Sequence, residues 1–362
     1  MKYFIDSRTG KPAYLQLYEQ IKKDITDGVY VFGAKLPSKR FLSEELNISV
    51  ITAEHSYSLL ADEGYITARE RSGYFVCYRK DDTFSSPEAS AKPFFKPNRI
   101  PDSDSDFPFS VYAKTMRRVL SIYGENIFNT CDFGGCDELK EAICNYLKRS
   151  RGINVCKNQV VIGAGSEYLY GIIVQMLGKS RIYALENPSY SKIGQVYRAN
   201  GVKTVYLSLL DDGISSSELK NTVASVLHIT PYRSYPSRVT ASASKKNEYI
   251  RWAKCENRFI VEDDFESEFT LLKKAEETVF SMAGGNNVIY VNTFSKTISP
   301  SVRVAYMILP EDMVETYKKT VGFYSCSVPY FNQLVLAELI NGGDFERHIN
   351  RVRRKRRQQI LK

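Results

Sequence analysis

Apolar residues recur at helical spacing from Pro12 to Asp27, at Tyr14, Leu15, Leu17, Tyr18, Ile21 and Ile25, and Gly28 stops the pattern. After Gly33, Leu36-Pro37-Ser38 opens a short helix with Ser38 as its N-cap and Leu42 and Leu46 on one face. Asn47 breaks that helix, and Ser49 caps a third one carrying Ile51, Tyr57, Leu59 and Leu60 and ending at Gly64. Two short helices joined by a tight turn are the helix-turn-helix unit, whose second helix offers its first residues to the major groove of DNA. Tyr65 to Val76 then reads as a hairpin turning near Arg71-Ser72-Gly73. Three helices and a hairpin predict an α+β winged helix over residues 1–77, a module that can meet DNA or protein.

Residues 78–106 are polar and proline-broken without periodicity, which predicts a linker. From Phe107 onward short apolar runs alternate with helical stretches. Val160–Ile162, Ile182–Leu185, Val205–Leu207, Val226–Ile229, Phe259–Val261 and Val288–Val291 read as strands; Leu139–Arg149 and Tyr168–Leu177 read as helices. The alternation predicts a three-layer αβα body over 107–346 with a mostly parallel sheet. Ligands of such sheets sit at the carboxyl ends of the strands.

Composition changes this picture little. Apolar content of 43% and charged content of 25% are ordinary for a globular chain. No apolar run approaches the roughly 20 residues of a membrane span, and the N-terminus has no signal-peptide pattern, so no membrane contact is expected and the cytoplasm is the expected location. Seven scattered cysteines without a Cys-x-x-Cys pair, and three isolated histidines (His55, His228, His348), predict no metal site and no histidine catalyst. The net charge of +9 is local: eight of the fifty Lys and Arg lie in 347–362, where no carboxylate occurs. Residues 1–77 hold ten basic and ten acidic residues, so a DNA reading must rest on the motif and not on bulk charge.

The strand ends carry the chemistry. After Val160–Ile162 come Gly165 and Ser166 at a helix start, where free amides and the helix dipole favour an anion. After Leu185, Glu186-Asn187-Pro188-Ser189-Tyr190 places an aromatic ring near the sheet edge. After Val261, Glu262-Asp263-Asp264 sets three carboxylates in a row, one of which should meet a cation or a protonated heterocycle. After Val291 come Thr293, Ser295 and Lys296, with Arg303 seven positions on; a desolvated lysine between two buried strands is suited to forming a Schiff base. An amine, a carboxylate, an anion cradle and a stacking ring are the parts needed to hold pyridoxal 5'-phosphate (PLP).

Leu36-Pro37-Ser38-Lys39-Arg40, Leu46-Asn-Ile-Ser49-Val-Ile-Thr52, Tyr57-x-x-Leu60-x-x-Glu63-Gly64-Tyr65 and Ser72-Gly73-Tyr74-Phe75-Val76 resemble the GntR-family winged helix. The resemblance implies that Lys39 and Arg40 contact phosphates or a guanine edge, that Ser49 and Thr52 enter the groove, and that Arg71 and Gly73 lie at the wing tip. Val50 stands where many members have arginine. Glu262-Asp263-Asp264-x-x-Ser267-Glu268-Phe269 and Thr293-Phe-Ser-Lys296-x-x-x-Pro300-x-x-Arg303 resemble fold-type I aminotransferases, and the two parts together resemble the MocR-type transcription regulators. That match implies Asp263 on the pyridine nitrogen, Lys296 as the Schiff-base lysine, Arg303 on the phosphate, a homodimer, and an effector that is PLP or its adduct with an amino compound.

Three departures accompany it. Phe265 stands where the family has tyrosine. Tyr235-Pro236-Ser237-Arg238 stands where aminotransferases have Asn-Pro-Thr-Gly. The chain ends at Lys362, before the small domain with its substrate-gripping arginine, and 347–362 resembles the basic helix leading into that domain. The expectation is a DNA-binding regulator that senses PLP; a PLP-dependent aminotransferase, or a truncated regulator with an inactive sensor, are the alternatives.

Overall fold

The computed structural model describes residues 3–6, 9–70, 72–79, 107–255, 257–270 and 276–360. The chain divides into two compact units, Met1–Asn98 and Arg99–Lys362. Arg71 and most of the expected linker lie outside the described residues.

In the first unit α1 (Ala13–Thr26), α2 (Lys39–Leu46) and α3 (Val50–Asp62) precede a hairpin of β1 (Ile66–Arg69) and β2 (Gly73–Val76), the arrangement expected of a winged helix. Leu17, Tyr18, Ile21 and Ile25 of α1 pack with Leu42, Ala53, Tyr57 and Leu60. Ser38 Oγ accepts from the Phe41 amide and Ser49 Oγ from the Thr52 amide, so both predicted caps satisfy amides that helix geometry leaves free. Asn47 ends α2 in the left-handed region (φ 55°), where asparagine is among the tolerated residues. The Tyr57 hydroxyl donates to the Pro37 carbonyl at 2.6 Å and ties α3 to the start of α2.

The second unit runs α4 (Phe109–Tyr123), α5 (Asp137–Arg151), β3 (Val160–Gly163), α6 (Ser166–Leu177), β4 (Ile182–Asn187), α7 (Ser191–Ala199), β5 (Lys203–Leu210), β6 (Gly213–Ile214), α8 (Ser216–Asn221), β7 (Val226–Ile229), α9 (Ala243–Ala253), β8 (Phe259–Asp263), α10 (Val279–Met282), β9 (Val288–Thr293), β10 (Ala305–Ile308), α11 (Val314–Val321), α12 (Tyr330–Asn341) and α13 (Asp344–Ile360). Its sheet has the order β3-β10-β9-β8-β7-β4-β5-β6. Pairing is parallel from β9 through β5, whereas β10 is antiparallel to both β9 and β3, and β6 is antiparallel to β5. The link from Thr293 to Ala305 is too short for a crossover helix, so β10 returns antiparallel.

Strand alternation sends Val160, Ile162, Val288 and Tyr290 to the layer of α5, α9 and α12. Val161, Ile289 and Val291 go to the layer of α6, α7 and α11. The basic helix α13 begins at Asp344, ahead of the expected boundary at 346/347, and Phe345, Ile349 and Val352 join the sheet core. Arg149 pairs with Glu346 at 2.8 Å, and the Arg356 guanidinium lies 4.7 Å from the Phe269 ring centre. Among the described residues, no helix is long and apolar enough to cross a membrane.

Candidate functional site

At the carboxyl ends of the parallel strands a cleft of about 440 Å³ brings together Ser166, Tyr190, Asp263, Thr293, Ser295, Lys296 and Arg303. All but Gly165 of the expected cofactor residues line it directly, and Gly165 lies against Arg303. A larger hollow of about 660 Å³ lies elsewhere, around Gly152, Gln159 and Gly284, but no described residue lining it has a buried polar side-chain atom without a partner. The strand-end cleft has two such atoms, Asp263 Oδ1 and Ser295 Oγ.

Asp263 ends β8 and is buried. The Tyr170 hydroxyl donates to its Oδ2, and His228 Nε2 lies 3.8 Å from the same oxygen. Burial pushes the Asp263 pKa up to about 7, against the lowering effect of the Tyr170 hydrogen bond. A cation at the free Oδ1 would favour the ionised form. His228 is buried beside it, its Nδ1 2.8 Å from the Tyr197 hydroxyl, and desolvation drives its pKa down to about 3, so it is neutral. Tyr170 and His228 were not among the expected site residues. Tyr170 follows Ser166 by one helical turn on α6, a spacing that could have flagged it; His228 read as packing.

The other two carboxylates of the triplet have structural partners. Glu262 accepts from the Val279 and Phe280 amides at 2.8 and 2.7 Å, capping α10, and burial raises its pKa to about 8. Asp264 meets a cation of the chain itself: Arg151 Nη2 at 2.9 Å, with both side chains 4% exposed, and the Tyr290 hydroxyl donates to the same oxygen at 2.8 Å. The expected cation is thus an arginine for Asp264, while Asp263 keeps an unpartnered oxygen.

The two parts expected to cradle an anion, Gly165-Ser166 and Arg303, make a close approach. Gly165 caps α6 at φ 94°, ψ 164°, a region open essentially to glycine alone. A Cβ there would lie 2.9 Å from Arg303 Nη2. Arg303 is itself left-handed (φ 49°), and its Nη2 sits 3.2 Å from Glu167 Oε2. Glu167 also lies 3.6 Å from Lys192 Nζ. The Ala164 amide donates to Ser327 Oγ at 3.1 Å, fixing the loop ahead of Ser166.

Lys296 corrects one expectation. It is exposed, on the turn that follows β9, and it is not desolvated between two strands. The turn carries the chain out of the sheet before the lysine is reached, so its amine opens into the cleft. Thr293 Oγ1 accepts from the Ser295 amide at 3.1 Å and donates to the Val304 carbonyl at 3.3 Å, which sets the turn's shape. Tyr190 and Tyr235 stand edge to face, 6.0 Å between ring centres, and Phe265 lines the same cleft without a hydroxyl to offer. Arg238 adopts φ 61° at the turn where aminotransferases carry glycine.

In the first unit the Lys39 ammonium lies 2.6 Å from Glu54, joining the start of α2 to α3. Arg40, Ser49 and Gly73 are exposed. The Ser49 and Thr52 hydroxyls lie 2.8 Å apart, so the two groups expected in the groove engage each other at the cap. Arg71, expected at the wing tip, lies outside the described residues.

Residues 13–76 match the family described as "Bacterial regulatory proteins, gntR family", and residues 97–362 match "Aminotransferase class I and II". The chain is 33% identical to the uncharacterized HTH-type transcriptional regulator YdeL of Bacillus subtilis, the match covering 99% of this chain and 80% of that protein. It is 26% identical to the probable rhizopine catabolism regulatory protein MocR of Rhizobium meliloti, over 97% of this chain and 76% of that one. Among solved structures, the aromatic aminotransferase of Pyrococcus horikoshii aligns with a TM-score of 0.62 at 18% identity, covering 71% of each chain, which shows a shared fold. A winged helix of gntR type, a strand-end cleft on an aminotransferase fold and a relative that matches along nearly the whole chain place this protein in the MocR type, the family that joins a GntR helix-turn-helix domain to an aminotransferase class I and II body.

Proposed function

We propose that the protein is a transcription regulator that binds DNA through its winged helix and holds PLP in the cleft of its body, sensing the cofactor or its adduct with an amino compound. The observation that carries this reading is the pair of buried, unpartnered atoms, Asp263 Oδ1 and Ser295 Oγ, in the cleft where Lys296 presents its amine. Buried polar atoms without partners are uncommon in native proteins, and of the nine among the described residues these two belong to residues that line the cleft, where a ligand would satisfy them. PLP, when bound, supplies an aldehyde that condenses with amines and a ring nitrogen that a carboxylate keeps protonated.

The residues present fit that group. Asp263 would accept from the ring nitrogen through Oδ1 while Tyr170 holds Oδ2. Arg303, the Ser166 helix start and Ser295 would take the phosphate, and Lys192 would give Glu167 a second cation as Arg303 turns to the ligand. Tyr190 would cover the ring, and Lys296 would attach covalently. Phe265 donates no hydrogen bond, so the ring hydroxyl receives less support than a tyrosine would give. A second copy of the chain would cover exposed apolar side chains such as Phe109 and Phe128 of the body. An effector shifts DNA binding only through differential affinity for two arrangements of the protein.

The test is direct. Purified protein titrated with PLP should gain visible absorbance that dialysis does not remove, and Lys296→Ala should lose it. A wild-type protein that stays colourless sinks the cofactor reading. The aminotransferase reading is favoured by one observation, the exposed Lys296 in an open cleft that admits an amine. Amino-group transfer to a keto acid above the Lys296→Ala background would establish it.

A further inference from the structure

The first turn of α3 carries two side chains for which the winged helix has no internal use. Val50 and Ile51 are 41% and 76% exposed, whereas Ala53, Ser56, Tyr57 and Leu60 of the same helix are buried. β-Branched residues lose side-chain freedom in a helix, and burial within the unit offsets little of that loss at Ile51 and only part of it at Val50. The polar groups of the same turn are already engaged. Ser49 Oγ accepts from the Thr52 amide at 3.0 Å and lies 2.8 Å from Thr52 Oγ1, and Glu54 holds Lys39. The helix end that this fold presents to base edges is therefore tipped with aliphatic surface and not with a hydrogen-bonding fork. On the major-groove edges of the four base pairs, the apolar group on display is the C5-methyl of thymine. Lys39, paired with Glu54 of α3, and the exposed Arg40 stand beside this turn, and on the DNA-binding reading they are the cations that would meet the phosphates.

We infer that Val50 and Ile51 read thymine methyl groups, so that each operator half-site places A·T pairs opposite the first turn of α3. This rests on the DNA-binding reading of the winged helix and adds the chemistry of its selectivity. Burying one methyl group is worth about a fourfold change in affinity.

The experiment starts from random duplexes enriched on the full chain. Each thymine of the selected site is then replaced by uracil, which deletes the methyl and leaves the pairing edges unchanged. One or two thymines per half-site should show a loss of about fourfold on replacement. Ile51→Ala, an exposed position whose folding circular dichroism can confirm, or Val50→Ala should bind the thymine and uracil duplexes equally at such a position. A selected site with no uracil-sensitive thymine overturns the inference while leaving DNA binding intact. So does a uracil penalty that persists undiminished in both alanine variants. Failure to enrich any sequence removes the DNA reading and the inference with it.

Discussion

Replacing Arg151 by methionine tests whether the end of β8 is held by charge. Arg151 and Asp264 are each 4% exposed and meet at 2.9 Å, and the Tyr290 hydroxyl is the other donor on that carboxylate oxygen. Removing one partner of such a pair costs about 3–5 kcal/mol, mostly because the remaining charge stays buried without compensation. With a urea dependence of about 3 kcal/mol per molar, that loss moves the unfolding midpoint down by roughly 1 to 2 M. The assay is simple because the single tryptophan, Trp252, is buried on α9, so its fluorescence reports unfolding of the body alone. Adding Asp264→Asn should recover part of the loss, since the amide still accepts from Tyr290 and the Asp264 charge is gone, while the buried Glu268 loses the Arg151 charge in both variants. An Arg151→Met midpoint within about 0.3 M of wild type, or no recovery in the double variant, would refute the reasoning.

Other outcomes follow from the same geometry. Asp263 has its folded pKa raised to about 7, so the stability it contributes is full below its unfolded value near 4 and is lost as the pH rises through about 7. Without ligand, the protein should therefore lose stability across that window, where the buried Glu186, Glu262 and Glu268, raised likewise, act in the same direction, and Asp263→Asn should lessen the decline, as read by the Trp252 midpoint in urea at several pH values. Gly165→Ala puts a Cβ 2.9 Å from Arg303 Nη2 in a backbone region that disfavours side chains; PLP affinity should fall about tenfold, measured by equilibrium dialysis. Ser49→Ala removes the cap on α3 and should cost about 1 kcal/mol, seen as an earlier transition of the winged helix in far-ultraviolet circular dichroism of the full chain.

Much of this architecture was legible because its signals are local. Ser38 and Ser49 announce helix starts through side chains that act within three residues, and the parallel strands announce themselves through unbroken apolar runs. The cleft residues could be found because an α/β sheet gathers whatever follows its strands at one edge. What stayed hidden depends on distant partners. Arg151 ends the basic run Lys148-Arg149-Ser150-Arg151, which reads as ordinary charge at a helix C-terminus until the fold lays it against Asp264. Lys296 was expected to be desolvated because the strands around it are buried, but the turn after Thr293 is a property of the backbone path and not of composition. Val50 read as the loss of a basic contact, and its exposure beside Ile51 turns it into surface with a use of its own.

The place of β3 at the sheet margin has a consequence for how the protein is made. β3 hydrogen-bonds to β10 and to no other described strand, yet about 140 residues separate them. A ribosome delivers Val160–Gly163 long before Ala305–Ile308 exists, so this wholly apolar strand waits unpaired while the middle of the sheet assembles. Gly165 and Arg303 flank those two strands, so the two sides of the expected anion cradle meet only through that long-range pairing. If the cleft holds PLP as proposed, a nascent chain would gain its grip on the phosphate only when its sheet is closed, and the cofactor, by binding there, would select for finished molecules.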